Sequence, residues 1–213
     1  MTPEALAKLE QAQQRTDYRL ILDRIEPGSR VLDLGCGSGW LLALLREKKN
    51  VVGYGVELSS NQIIECIGKG LSVFHGDIDE GLRDFEDQSF DYVIVNQTLP
   101  VTRRPSLVLE EVLRVGRCGI ISFANFAYWR IRLHLLLTGR MPVTKSIPYE
   151  WYDTPNIHLF TIRDFRALCR KMNAEITDSC FFTQFEDGHA RCNLPLPNLQ
   201  AAYALFTIKQ PEE

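Results

Sequence analysis

Histidine is scarce, and the four present (His75, His134, His158 and His189) form no metal-ligand spacing. Six cysteines, Cys36, Cys66, Cys118, Cys169, Cys180 and Cys192, are scattered without a C-x-x-C pair. That excludes the common zinc modules and leaves them as reduced, packed thiols. Apolar runs such as "LHLLL" are far too short to cross a bilayer, and "MTPEALAKLEQAQQR" lacks the basic-then-apolar pattern of a signal peptide. A cytoplasmic location is expected, with no membrane partner. Charge of one sign is also missing: the net value is -3 and the pI near 5.9. Nothing global draws the chain to nucleic acid, so any such role needs a local patch.

What the chain does have is 213 residues, 45% of them hydrophobic, enough for one domain with a real core. In "MTPEALAKLEQ", Thr2 can cap a helix that Pro3 and Glu4 begin. Tyr18, Ile21, Leu22 and Ile25 then recur at helical steps up to the turn "EPGSR". From Val31 onward β-rich runs alternate with helical ones: "RVLDL", "GWLLALLREK", "VVGYGVEL", "NQIIECIGK", "LSVFHG", "DYVIVN", "SLVLEEVLRV", "CGIISF". Such alternation implies parallel strands with helices on both faces. Residues 124–160, rich in aromatics, Arg, Pro and Thr, break the rhythm as an insertion or lid. A helix resumes at "TIRDFRALCRKM", where Thr161 and Asp164 form a capping box. "AEITDSCFFT" and "LQAAYALFTIK" close the chain as an antiparallel hairpin. The domain thus divides into N-terminal helices (1–27), a ligand-binding half (28–123), the insertion (124–160) and a C-terminal helix and hairpin (161–213).

The strand "VLDL" runs straight into Gly35-Cys36-Gly37-Ser38-Gly39 and then a helix. Glycines there expose backbone N–H groups at the positive end of a helix dipole, at the carboxyl edge of the sheet. A dinucleotide fingerprint needs a small residue at position 40, which is Trp40, and a P-loop needs a lysine that is absent. Asp33 repels a pyrophosphate and suits a cationic amine or sulfonium. Glu57, one βα unit downstream, can accept two ribose hydroxyls. Asp77 can accept from an adenine amino group, with Ile78 packed on the ring. Each carries a structural reading too: Asp33 as a turn cap, Glu57 as a solvated strand end, Asp77 and Asp79 at the start of a short helix. Cys36 reads as a small turn residue rather than a nucleophile.

"VLDLGCGSG", "GVEL", "GDI" and "FDYVIVNQTL" together resemble the ordered motifs of class I S-adenosylmethionine-dependent methyltransferases. That resemblance implies a Rossmann-like α/β fold with a seven-stranded, mostly parallel sheet whose last strand is inserted antiparallel. It implies S-adenosyl-L-methionine or S-adenosyl-L-homocysteine as ligand. Asp33, Gly35, Cys36, Gly37 and Gly39 would lie about its methionine part, with Glu57 on the ribose, Asp77 and Ile78 on adenine, and Asn96 at the methionine end. No catalytic base declares itself; His158 lies in the covering segment but reads more readily as a packed or hydrogen-bonded structural histidine.

Between Pro100 and Tyr149 lie Arg103, Arg104, Arg114, Arg117, Arg130, Arg132, Arg140 and Lys145, against Glu110 and Glu111 as the acids. With Phe126, Tyr128, Trp129 and Leu133 this is the Arg-plus-aromatic composition of protein interfaces, although a solvated face over a core stripe fits as well. An RNA surface is a weaker reading, since no RNA-binding motif is present. "RLHLLLTGRMPVTKSIPYEWYDTPNIHLFTIRDF" is more specific and is similar to the MetW family of methionine biosynthesis proteins. What that implies is a methyltransferase-like protein acting beside homoserine O-acyltransferase, such as the O-acetyltransferase, with segment 124–160 as the docking surface. An active methyltransferase on an unidentified small-molecule acceptor is the other expectation.

Overall fold

The computed structural model describes residues 3–184, 190–191 and 194–211. The expected cap Thr2 lies outside the described residues. Helices α1 (Pro3–Gln14) and α2 (Thr16–Arg24) precede strand β1 (Arg30–Leu34). Then follow α3 (Trp40–Lys49), β2 (Val52–Glu57), α4 (Ser60–Gly68), β3 (Ser72–His75), β4 (Phe90–Asn96), α5 (Pro105–Val115) and β5 (Gly116–Ala124). The remainder comprises α6 (Trp129–Thr138), α7 (Ile162–Lys171), β6 (Glu175–Gln184), β7 (Ala190–Arg191), α8 (Pro197–Gln200) and β8 (Tyr203–Lys209).

The strands lie in the order β3-β2-β1-β4-β5-β8-β6-β7. The first five are parallel, β8 runs antiparallel between β5 and β6, and β7 is a two-residue addition at the edge. Seven principal strands with the last inserted antiparallel are what the motifs imply. One boundary differs: Leu199 and Gln200 belong to α8, opened by Pro197, and the strand begins only at Tyr203.

Strand periodicity explains both cores. Leu32 and Leu34, Val93 and Val95, Ile121 and Phe123, and Ala204 and Phe206 face α5 and α7 residues such as Val112 and Phe165. The alternate residues Val31, Ile94, Ile120 and Leu205 face Leu9, Ile21, Leu42 and Leu45 of α1, α2 and α3. Strands buried on both faces carry no polar alternation. Helix α7 starts in the expected capping box: Asp164 N–H donates to Thr161 Oγ1 at 3.2 Å, and Thr161 N–H donates to Asp164 Oδ2 at 2.9 Å.

After β1 the chain builds outward to β3, then returns to place β4 on the other side of β1. This reversal opens a crevice at the carboxyl ends of β1 and β4, the ordinary ligand position in such sheets.

Candidate functional site

At the crevice, the turn after β1 is held by two backbone bonds, from Gly35 and Cys36 N–H to Val56 O, at 2.8 and 3.2 Å. Gly35 has φ +70°, and a Cβ there would stand 2.5 Å from Thr98 Cγ2, so position 35 excludes a side chain twice over. Gly55 on β2 is likewise obligatory, because its Cβ would stand 2.4 Å from Cys36 Sγ. Strand β2 can approach the turn closely only without that methyl group.

A cleft of about 910 Å³ opens over this turn, within the usual range for small-molecule sites. Of the nine residues singled out in the sequence, Asp33, Gly35, Cys36, Gly37, Glu57, Asp77, Ile78 and Asn96 line it. Gly39 does not. It caps α3 at φ +77°, packed so closely that a Cβ would meet Leu71 Cδ1 at 2.5 Å and Cys66 Sγ at 2.8 Å. Its role is helix entry, not a cleft wall. Trp40, in the place a dinucleotide turn reserves for a small residue, instead stacks under the Lys69 ammonium at 4.4 Å.

The acids of the cleft are not alike. Asp33 is 3% exposed, and among the described residues no hydrogen bond reaches its carboxylate. Burial, assisted by the charge of Glu57, pushes its pKa up to about 7. Glu57 is instead well satisfied: Oε2 accepts from Gly37 N–H, and Oε1 from Leu58 and Ser59 N–H, all at 2.9 Å. A carboxylate has about four acceptor positions, so Glu57 fastens the glycine turn to β2 and keeps capacity for one further donor. Asp77 Oδ1 accepts from Asp79 N–H at 2.9 Å, capping the short turn Ile78–Glu80, while Oδ2 pairs with Arg103 at 2.7 Å. Glu57 and Asp77 thus both hold the local backbone and both line the cleft. Burial pushes the Cys36 thiol far up, foremost over the charge of Asp33, so it stays protonated and is no nucleophile.

Asn96 borders the cleft as one link in a chain of bonds. Its Nδ2 donates to Asp17 Oδ2 at 3.1 Å, and its Oδ1 accepts from Ser122 Oγ. Asp17 also takes two bonds from Arg15, at 2.6 and 3.1 Å, and Arg15 lies 3.9 Å over the Tyr18 ring. Burial raises the Tyr18 hydroxyl to about 12, keeping it a donor in the cleft wall. Gln97 follows at φ +60°, a strained setting for a side chain, fixed by its N–H to Ser122 O at 3.0 Å. Arg15, Tyr18, Gln97 and Arg103 all line the cleft and were not singled out as site residues from the sequence.

The insertion contains α6 and a long covering loop. Several of the cations counted between Pro100 and Tyr149 are spent elsewhere: Arg103 on Asp77 and Asp79, Arg114 on Glu111 and Asp87, Arg117 on Asp91. Arg104, Arg130, Arg132 and Arg140 form no ion pair among the described residues, the last three within the insertion. The same segment exposes Leu136 (81%), Leu137 (73%), Trp151 and Tyr152 (both 72%). The loop leans on the cleft through Ile157 and His158 N–H, which both donate to Pro100 O at 2.8 and 3.0 Å. Among the described residues there is no metal-binding cluster, and no helix is long and apolar enough to cross a membrane.

The family model for methionine biosynthesis protein MetW matches residues 15–208. The bifunctional methionine biosynthesis protein MetXA/MetW of Rhodopirellula baltica is 39% identical over 175 residues, covering 78% of this chain. The chain spans only 28% of that relative's length. A demethylmenaquinone methyltransferase of Bacillus cereus is 28% identical over 160 residues, covering 64% of this chain and 65% of its own. Among solved structures, a SAM-dependent methyltransferase of Thermotoga maritima superposes with a TM-score of 0.68 at 17% identity, covering 97% and 96% of the two chains. One from Archaeoglobus fulgidus gives 0.65 at 17%, covering 95% and 99%. These structural likenesses establish the methyltransferase fold, and the match over residues 15–208 makes the chain a member of the MetW family of methionine biosynthesis proteins.

Proposed function

We propose that this MetW protein binds S-adenosyl-L-methionine or S-adenosyl-L-homocysteine in the larger cleft and serves methionine biosynthesis as a methyltransferase-like partner of homoserine O-acyltransferase. The observation that carries the ligand is Asp33, a buried carboxylate without a hydrogen-bond partner among the described residues, at the glycine turn of a cleft sized for a nucleoside. An anion in that setting favours a cationic ammonium or sulfonium and disfavours a pyrophosphate. Glu57 retains capacity for a ribose hydroxyl, Asp77 for an amino group, and Ile78 gives an apolar wall for a purine. The ligand's chemistry is an electrophilic methyl on sulfur. The chain's own residues orient it, and Cys36 and Tyr18, both held protonated, do not compete as nucleophiles.

Partnership is supported by the Rhodopirellula baltica relative, a bifunctional protein that joins MetXA to MetW in one chain. The surface around α6 fits such a role: exposed leucines and aromatics are flanked by Arg130 and Arg140, with no acid between Val112 and Tyr149. Calorimetric titration of both ligands into the protein, alone and with the acyltransferase, tests the two halves together. Micromolar binding that weakens at least tenfold in Asp33→Ala is expected for the first. Co-purification abolished by Arg130→Glu with Leu137→Asp is expected for the second. Undiminished association in that double variant would remove the docking assignment.

The second reading, an active methyltransferase, is favoured by a separate cavity adjoining the cleft. Labelled cofactor incubated with a metabolite extract distinguishes the two, since only an enzyme transfers label to a small molecule.

A further inference from the structure

Just before α5, Arg103 joins the wall of the larger cleft beside Asp77, Ile78 and Thr102. Its place there is set by the backbone rather than by its long side chain. The buried Asp79 accepts from Arg103 N–H with Oδ2 at 2.9 Å and from Arg104 N–H with Oδ1 at 2.8 Å. That carboxylate fastens the residues ahead of α5 to the short turn after β3. From this anchor the Arg103 side chain reaches back, and Nη2 donates to Asp77 Oδ2 at 2.7 Å. Nε lies 3.5 Å from Asp79 Oδ2, at the limit of a hydrogen bond. Nη1 has no bond among the described residues.

The Arg103 side chain is 66% exposed, and an ion pair in that setting adds little to stability. What it adds to the cleft is a pattern of donors and acceptors. A guanidinium has five N–H donors, of which Asp77 and Asp79 occupy two at most. Asp77 has about four acceptor positions and uses one for Asp79 N–H and one for Arg103. The two side chains therefore present an open acceptor and an open donor next to each other, with the apolar Ile78 alongside. Their charges cancel, so a neutral ring meets no bare anion. An adenine edge has the complementary pattern, an amino donor adjacent to a ring-nitrogen acceptor.

We propose that Arg103 recognises the base of the cleft's nucleoside, donating to a ring nitrogen of adenine while it holds Asp77 toward the adjacent amino group. The assignment rests on the nucleoside reading above and adds to it the donor half of the contact. Calorimetry with S-adenosyl-L-homocysteine and its 1-deaza and 7-deaza analogues tests it. Each analogue replaces one ring-nitrogen acceptor by C–H and keeps the amino group. One of the two is expected to bind the native chain about five-fold or more weakly than the parent, the worth of one hydrogen bond. In Arg103→Met, which keeps the apolar stem, the parent should weaken about five-fold and that difference should shrink to about two-fold or less. Arg103→Lys should recover part of the parent's affinity, since an ammonium donates but lacks the fork that reaches Asp77 and the base together. A merely loosened turn would weaken all three ligands alike and keep their ratios as in the native chain. That result would overturn the assignment and leave the nucleoside reading standing, as would native binding indifferent to both ring nitrogens. No binding of any of the three would sink both.

Discussion

At the scale of single residues, Asp33 is where folding and binding conflict. Its carboxyl has an ordinary pKa of 3.8 and a folded one of about 7, so between those values the folded state retains a proton that the unfolded chain has released. Its contribution to stability is therefore most favourable below about pH 4, falls as pH rises toward 7, and is flat above. At about 1.36 kcal/mol per unit the loss is at most about 4 kcal/mol. Asp33→Asn should raise stability at pH 8 by about 1–3 kcal/mol and change it little at pH 4, checked by urea unfolding at both values. The same substitution should weaken S-adenosylmethionine. A cation beside Asp33 favours the ionised form, so affinity should climb from pH 6 to pH 8 in the native chain and lose that climb in the variant, as calorimetry would show. Cys36 makes a contrasting case. Cys36→Ser should leave binding within a few-fold, because the thiol fills space. Gly55→Ala should destabilise by about 1–3 kcal/mol through overpacking against Cys36, and Cys36→Ala should recover part of that loss in thermal melts.

At the scale of elements, the most demanding junction follows β5. Asn125 is fully buried, and its side chain serves three segments: Nδ2 donates to Ala201 O and Asn198 O at 2.8 and 3.2 Å, while Oδ1 accepts from Ala127 and Ile162 N–H at 3.2 and 3.3 Å. It sets the insertion, α7 and α8 relative to one another. Asn125→Leu leaves buried carbonyls and N–H groups unpaired and should cost about 3–5 kcal/mol in chemical denaturation, far more than an exposed change such as Leu136→Ala. Nothing in the sequence marks this residue, because its partners are up to 76 positions away. The strands and helices of the ligand-binding half were readable because their signals are local: continuous apolar runs, Pro105 at a helix start, glycines between strand and helix. Helix α6 was not. Its N-cap Tyr128 makes no side-chain cap, and its apolar residues lie on all sides, with Leu136 and Leu137 outward. The left-handed Gly139 at its end, φ +65°, was the available sign. For the site, the glycine turn and the strand-end acids could be located from spacing, but Arg15 and Tyr18 could not. They come from the N-terminal helices and reach the cleft only through tertiary packing, the Asn96–Asp17 bond spanning 79 residues.

At the scale of the whole molecule, the proposed docking surface and the cleft share one support. The covering loop that displays Trp151 and Tyr152 rests on Pro100, two residues after Thr98, and Tyr149 reaches the walls of both cavities. A ligand that orders the Asn96–Val101 corner should therefore bias the loop, since Pro100 O accepts from both Ile157 and His158 N–H. If that loop meets the acyltransferase, the two binding events are linked, and linkage is reciprocal: whatever factor the nucleoside imposes on partner affinity, the partner imposes on nucleoside affinity. A factor of about five to thirty is the expected range for a coupling of about 1–2 kcal/mol. Measuring both dissociation constants, each with and without the other component, gives the factor twice and must return the same value. Pro100→Gly loosens the support without removing a cleft carboxylate or a docking side chain. It should reduce the coupling toward one while leaving nucleoside affinity, measured on the protein alone, within about three-fold. Coupling that survives Pro100→Gly undiminished would mean that the signal, if present, travels by another route than the covering loop.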